Sequence, residues 1–139
     1  MIRLIAVISI LSLAISSHAQ TWVYCCTTKQ NDTLYFRSDV AMESFNTEKD
    51  SALKVWTKRT QKELTIQQKV YFNAVVISLN YIDCKTNKFV IISGIFYDEG
   101  GNAIGSYDDG KKFPNLGASP ESLYEKLIDD VCQFYIRKL

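Results

Sequence analysis

Four cysteines, Cys25, Cys26, Cys84 and Cys132, follow a segment that reads as an export leader, and these two features together constrain the rest of the chain most. Met1-Ile2-Arg3 carries one positive charge, and Leu4 to Ile15 is apolar except for Ser9 and Ser12. Ser17 and Ala19 supply the small residues that a signal peptidase reads. That order of charge, apolar run and small residues is the pattern of a cleavable secretory signal over residues 1–19. The run is too short for a comfortable permanent span, so no stable membrane segment is expected. No Cys follows it directly, so no lipid attachment is offered. Residues 20–139 are then one small exported domain. An even cysteine count in such a domain reads as a disulfide framework with three connectivities open.

Removing the leader also removes the only histidine, His18, and Arg3, which leaves the remainder with balanced, interspersed charge. Nucleic acid needs a concentrated basic face, and the densest basic stretch, Lys58 to Lys62, is short and followed by Glu63. Nucleic acid is therefore not an expected partner. Zinc would need all four thiolates, and no C-x-x-C spacing occurs. Nucleophilic catalysis by Ser or Cys normally needs a neighbouring base, and without histidine the usual triads and Cys-His pairs are excluded. No phosphate loop and no G-x-G-x-x-G is present. The carboxylate pairs Asp98-Glu99 and Asp108-Asp109 read better as solvated turns than as calcium ligands. The expectation is a non-enzyme with no cofactor and no metal.

Periodicity divides the domain into strands and one helix. Residues 22–28 and 33–37 are aromatic and β-prone, with a turn at Gln30-Asn31-Asp32. A short strand is expected near residues 40–44, then a loop to Ser51. Residues 52–58 alternate, with Leu53, Val55 and Thr57 on one face and Lys54, Trp56 and Lys58 on the other. Residues 60–68 are polar and read as an exposed connection. Residues 70–84 form the longest β-like run. Ile77, Leu79 and Tyr81 share a face with Ser78 and Asn80 opposite, and the pattern flips at Ile82 and Cys84, which predicts a bulge near Tyr81-Ile82. After a turn at Thr86-Asn87, residues 89–97 are apolar on both faces, as in a central strand. A turn at residues 98–102 leads to a short returning strand at 103–107, and residues 108–117 read as irregular. Ser119, Pro120 and Glu121 then make a helix start, and Leu123, Leu127, Ile128, Val131 and Tyr135 recur at helical spacing. Glu121, Glu125, Asp129 and Asp130 occupy the polar face, which argues against a membrane-surface helix.

Cys132 lies beside the helix stripe and Cys84 ends the long strand, so a bridge between them would tie helix to sheet. Closing those 48 residues is worth about 4 kcal/mol by loop-closure entropy. Cys25 and Cys26 are adjacent, and in a regular strand they would point to opposite faces. A vicinal disulfide and an interchain link both stay open for them. Trp56, flanked by Lys54 and Lys58, is the candidate binding anchor. Its rival role is packing beneath residues 59–68.

Trp22, Val55-Trp56, Asp83-Cys84, the turn Asp98-Glu99-Gly100, Pro120 at a helix start and Val131-Cys132 occur in an order that resembles the surface-adhesin protein E-like domain of bacterial exported proteins. The likeness runs from Trp22 to Cys132. It implies an α+β fold: an antiparallel sheet of about six strands with a C-terminal helix packed on its concave face, tied by a Cys84–Cys132 disulfide. It also implies a surface adhesin that binds extracellular-matrix proteins and forms dimers. The missing lipid-attachment Cys and the extra Cys25-Cys26 pair depart from that pattern. The expected function is a secreted or periplasmic, non-enzymatic protein-interaction module of adhesin type, with a protein partner and a homodimer as its form. The alternative is a periplasmic inhibitor, accessory or structural protein of the envelope, with residues 59–68 or 98–102 as an inserting loop.

Overall fold

A computed structural model describes residues 20–45, 47–108 and 122–139. The expected leader over residues 1–19, residues 109–117 of the stretch expected to be irregular, and the expected helix start at Ser119, Pro120 and Glu121 lie outside the described residues.

Among the described residues, seven antiparallel strands form one sheet, and one helix packs against it. The strands are β1 (Trp22–Thr27), β2 (Thr33–Arg37), β3 (Ala41–Phe45), β4 (Thr47–Ile66), β5 (Lys69–Asp83), β6 (Lys88–Tyr97) and β7 (Ala103–Asp108). The helix is α1 (Ser122–Lys138). The order across the sheet is β1-β2-β4-β5-β6-β7, and β3 pairs with the first part of β4. The α+β class, the antiparallel sheet and the C-terminal helix are those expected. The strand count reaches seven because β3 shares one edge of β4 with β2.

β4 departs from the sequence reading. It spans 20 residues and absorbs both the loop expected before Ser51 and the polar connection expected at residues 60–68. The polar residues stay extended because β5 pairs with them in unbroken register, from Leu53↔Ile82 to Ile66↔Lys69. Gln67 and Gln68 close the hairpin with φ of 47° and 66°. Positive φ at both central residues is what a two-residue hairpin turn matched to strand twist requires. β2 stops pairing with β4 at Thr60, and β6 pairs with β5 only from Val75 onward, so residues 61–74 continue as a two-stranded arm.

β5 carries no bulge at Tyr81-Ile82. Its register with β4 is continuous there, and the irregularity opposite it lies in β6, between the partners of Leu79 and Asn80. Ala74, Ser78, Asn80 and Ile82 are buried on the helix side, with Tyr81 buried on the other. The apparent flip arises because apolar residues occupy both faces of this strand. β6 is the second strand from the β7 edge, and β4 and β5 hold the centre. The apolar residues on both faces of β6 line a trough on one side and an open face on the other.

The core lies between α1 and the β1–β2–β4 half of the sheet. Leu127, Ile128, Val131 and Cys132 meet Cys25, Leu34, Phe36, Val40, Leu53, Val55 and Ile82. Phe134 meets the Phe36 ring edge-on at 5.4 Å, and Tyr124 stacks on Phe89 at 4.4 Å. The helix stripe is the one read from its spacing, and most of it packs on β1 and β2. Cys84 and Cys132 are disulfide-bonded and fix the helix to the end of β5. Lys138 donates to the Ser38 carbonyl at 3.3 Å and pins the last turn beside β2.

Candidate functional site

The alternation of β4 sends Leu53, Val55 and Thr57 into the core and Lys54, Trp56 and Lys58 to the face away from α1. Cross-strand register builds this second face around Trp56. Leu79 stands opposite Trp56, while Tyr35 and Ile77 flank Lys58 on either side. Trp22 pairs with Arg37 at the sheet's edge. The Arg37 guanidinium lies 5.4 Å from the Trp56 ring centre. The Lys58 ammonium lies 4.9 Å from the Trp22 ring and 4.8 Å from the Tyr35 ring. Cations over aromatic faces are held by the ring quadrupole, which fixes long side chains that would otherwise wander. Arg37 also donates two hydrogen bonds of 2.8 Å to the Asp39 carboxylate, and these hold that carboxyl below its usual range. Lys54 sits 3.9 Å from Glu43. Glu43 accepts a 3.1 Å hydrogen bond from the Tyr81 hydroxyl. Ile77 and Ile95, paired in register, extend the apolar strip toward β7.

All three predicted binding residues therefore share one face, with Trp56 half-buried at its centre. The rival role for Trp56, packing beneath a loop at residues 59–68, has no loop to pack beneath, because that stretch is strand up to Ile66. Sequence reasoning did not find Arg37, Trp22 and Tyr35 as neighbours of Trp56. Their signal was the β1–β2–β4 register, which the sequence does not display.

The helix side holds a second feature that sequence reasoning missed. Where α1 stops covering the sheet, a trough of about 370 Å³ opens, with Thr57, Ser78 and Asn80 on its floor and Ile91, Phe96, Tyr107 and Tyr124 on its walls. Asn80, 1 % exposed, donates to Thr57 Oγ1 at 2.9 Å and to the Ser78 carbonyl at 3.3 Å, so this polar floor is internally bonded. Arg59 at the rim donates to Asp32 at 3.0 Å, while its Nε is buried without a partner.

Three other groups of polar side chains among the described residues bear on chemistry. Ser51 and Lys54 have the S-x-x-K spacing that a helix would bring together, but on β4 that spacing puts them on opposite faces. Asp98 accepts from the Asn102 amide at 2.8 Å, and this bond holds its carboxyl below the usual range. Glu99 accepts from Asn73 at 3.1 Å. Asp98 is thus engaged within the turn and Glu99 by β5. Among the described residues, no three His, Cys, Asp or Glu side chains are grouped to hold a metal ion. No helix among them is long and apolar enough to cross a membrane.

No family model, curated protein or solved structure matches the chain.

Proposed function

We propose that the chain is an exported, non-enzymatic protein-interaction module that binds a protein partner through the sheet face centred on Trp56. The observation that carries this reading is the array of Trp22, Tyr35 and Trp56 interleaved with Arg37 and Lys58 on the side opposite the helix. Trp, Tyr and Arg are the residues most enriched at the energetic centres of protein interfaces. Here they are rigidly presented on strands, so little side-chain entropy is lost on docking. The likeness to the surface-adhesin protein E-like domain supports an adhesin-type role toward extracellular-matrix or envelope proteins, with a homodimer as its form.

The test is capture from envelope and matrix-protein extracts by the immobilised domain, run beside Trp56→Ala and Lys58→Glu. A partner retained by the wild type and lost by both variants supports the reading. Equal retention by the variants removes this face from it.

One observation favours a second reading, an inhibitor that inserts a projection into its target. The arm over residues 61–74 carries Phe72, 63 % exposed, and Val70, 43 % exposed. Under that reading Phe72→Ser abolishes capture and Trp56→Ala does not.

A further inference from the structure

β1 is not regular where its two cysteines lie. Tyr24 pairs with Tyr35 and Cys26 with Leu34, so Cys25 is the extra residue of a β-bulge. A bulge breaks the alternation of side chains. Its effect here is to turn both sulfurs toward the same layer, correcting the expectation that they point apart. Cys25 lies inside the core cluster and Cys26 packs against that cluster from its margin. Their Sγ atoms are 3.2 Å apart. Both are free, while the other two cysteines are joined to each other.

The surroundings of the pair differ. Cys25 is 5 % exposed, whereas Cys26 lines a pocket of about 490 Å³ with Lys29, Arg59 and Lys126 around it. Reactive thiols sit in partly exposed, electropositive surroundings, and buried ones are inert.

We propose that Cys25 and Cys26 are a dithiol exchange site, which accepts small external disulfides at Cys26 and closes to a vicinal disulfide. The Cys26 thiolate attacks one sulfur of the external disulfide, whose S–S bond breaks. A Cys26 mixed disulfide forms, and the first external thiolate leaves and takes up a proton. The Cys25 sulfur then attacks the Cys26 sulfur, breaks the mixed disulfide, and gives its proton to the second departing thiolate. The external disulfide is reduced to two thiols by two electrons, and the Cys25–Cys26 bond is the oxidised product. The division of roles follows from burial, which pushes the Cys25 thiol up, as do its hydrogen bond to Cys26 and the nearby Asp130 carboxylate. The more exposed Cys26 therefore makes the first attack. Asp130 is itself held by Lys126 at 2.9 Å, so α1 borders the site directly.

The experiment uses the chain purified without reductant, so that the Cys84–Cys132 bridge stays closed. It is incubated with oxidised glutathione and followed by thiol titration, intact mass and peptide mapping. The expected result is loss of both free thiols, no glutathione retained, and a peptide spanning residues 25–26 lighter by two hydrogens. Material isolated with these two residues already joined to each other agrees with it. Cys25→Ser is expected to stop at a stable glutathione adduct on Cys26. Three results overturn the proposal: a stable adduct on wild-type Cys26, a covalent dimer through Cys26, or two thiols that stay unreactive until the chain is unfolded. The wild-type arm decides alone if Cys25→Ser does not fold.

Discussion

Residues 53–58 of β4 belong to two surfaces at once. Leu53, Val55 and Thr57 are almost fully buried between β4 and the core. Lys54, Trp56 and Lys58, one residue out of step, lie on a face that α1 does not cover. β5 beside it reverses the chemistry: its helix side carries Ser78 and Asn80, and its open side Ile77 and Leu79. The contrast teaches that apolar character does not mark the stabilising face of this sheet. What marks it is coverage by a disulfide-anchored helix.

The comparison breaks most easily at the anchor. Cys132→Ser should cost about 4 kcal/mol, and lower Tm by more than about 10 °C, because the 48-residue loop is released in the unfolded chain. An unchanged Tm in a thermal melt would mean that the helix holds its place unaided. Next comes the covered face itself. Leu127→Ala removes a fully buried side chain and should cost about 3 kcal/mol in denaturant unfolding. Trp56→Ala, on the open face, should cost about 1 kcal/mol or less despite deleting a larger group. A larger loss for Trp56 than for Leu127 would erase the distinction between the faces.

A separate effect is confined to the extremes of pH. Burial, together with the hydrogen bond to Glu43, pushes the Tyr81 hydroxyl up from 10.0 to about 12. A raised folded-state pKa means that the stabilisation is complete below the unfolded value and is lost as pH rises through the folded one. Stability should therefore fall between about pH 10 and 12, and Tyr81→Phe should flatten that limb of a pH-dependent melt. Acid titration offers the opposite sign at Asp39, whose carboxyl is lowered by Arg37. Its contribution is lost as pH falls below the ordinary carboxylate range, and Asp39→Asn should be insensitive there.

Much of the architecture was legible from local pattern. β2 was read at its observed bounds, and the stripe of α1 showed through its spacing. The pairing of Cys84 with Cys132 is the one that the resemblance implied, and it joins a strand end to the flank of the helix stripe. What failed was set by tertiary pairing. Residues 60–66 look polar and loop-like until β5 lies beside them. Ser78 and Asn80 were placed opposite Ile77, Leu79 and Tyr81, but alternation alone does not tell which side the helix covers, and they floor a trough that the helix leaves open. The candidate face was half legible: Lys54, Trp56 and Lys58 came from alternation along one strand, while Arg37, Tyr35 and Trp22 arrive through neighbours far apart in sequence. The bulge at Cys25 left no mark in the periodicity, because a run of six β-prone residues reads the same with or without an extra one.

The placement of α1 on β1 and β2 sets the order in which the chain can become a protein. Residues that emerge from a ribosome after the whole sheet cover strands that emerge well before them. Until Leu127 and Val131 arrive, Leu34, Phe36 and Val55 have no partner layer, and strand pairing alone must hold the intermediate. A chain cut short before Leu123 would have every strand of its sheet and none of its closure, and its fate would pass to chaperones and proteases.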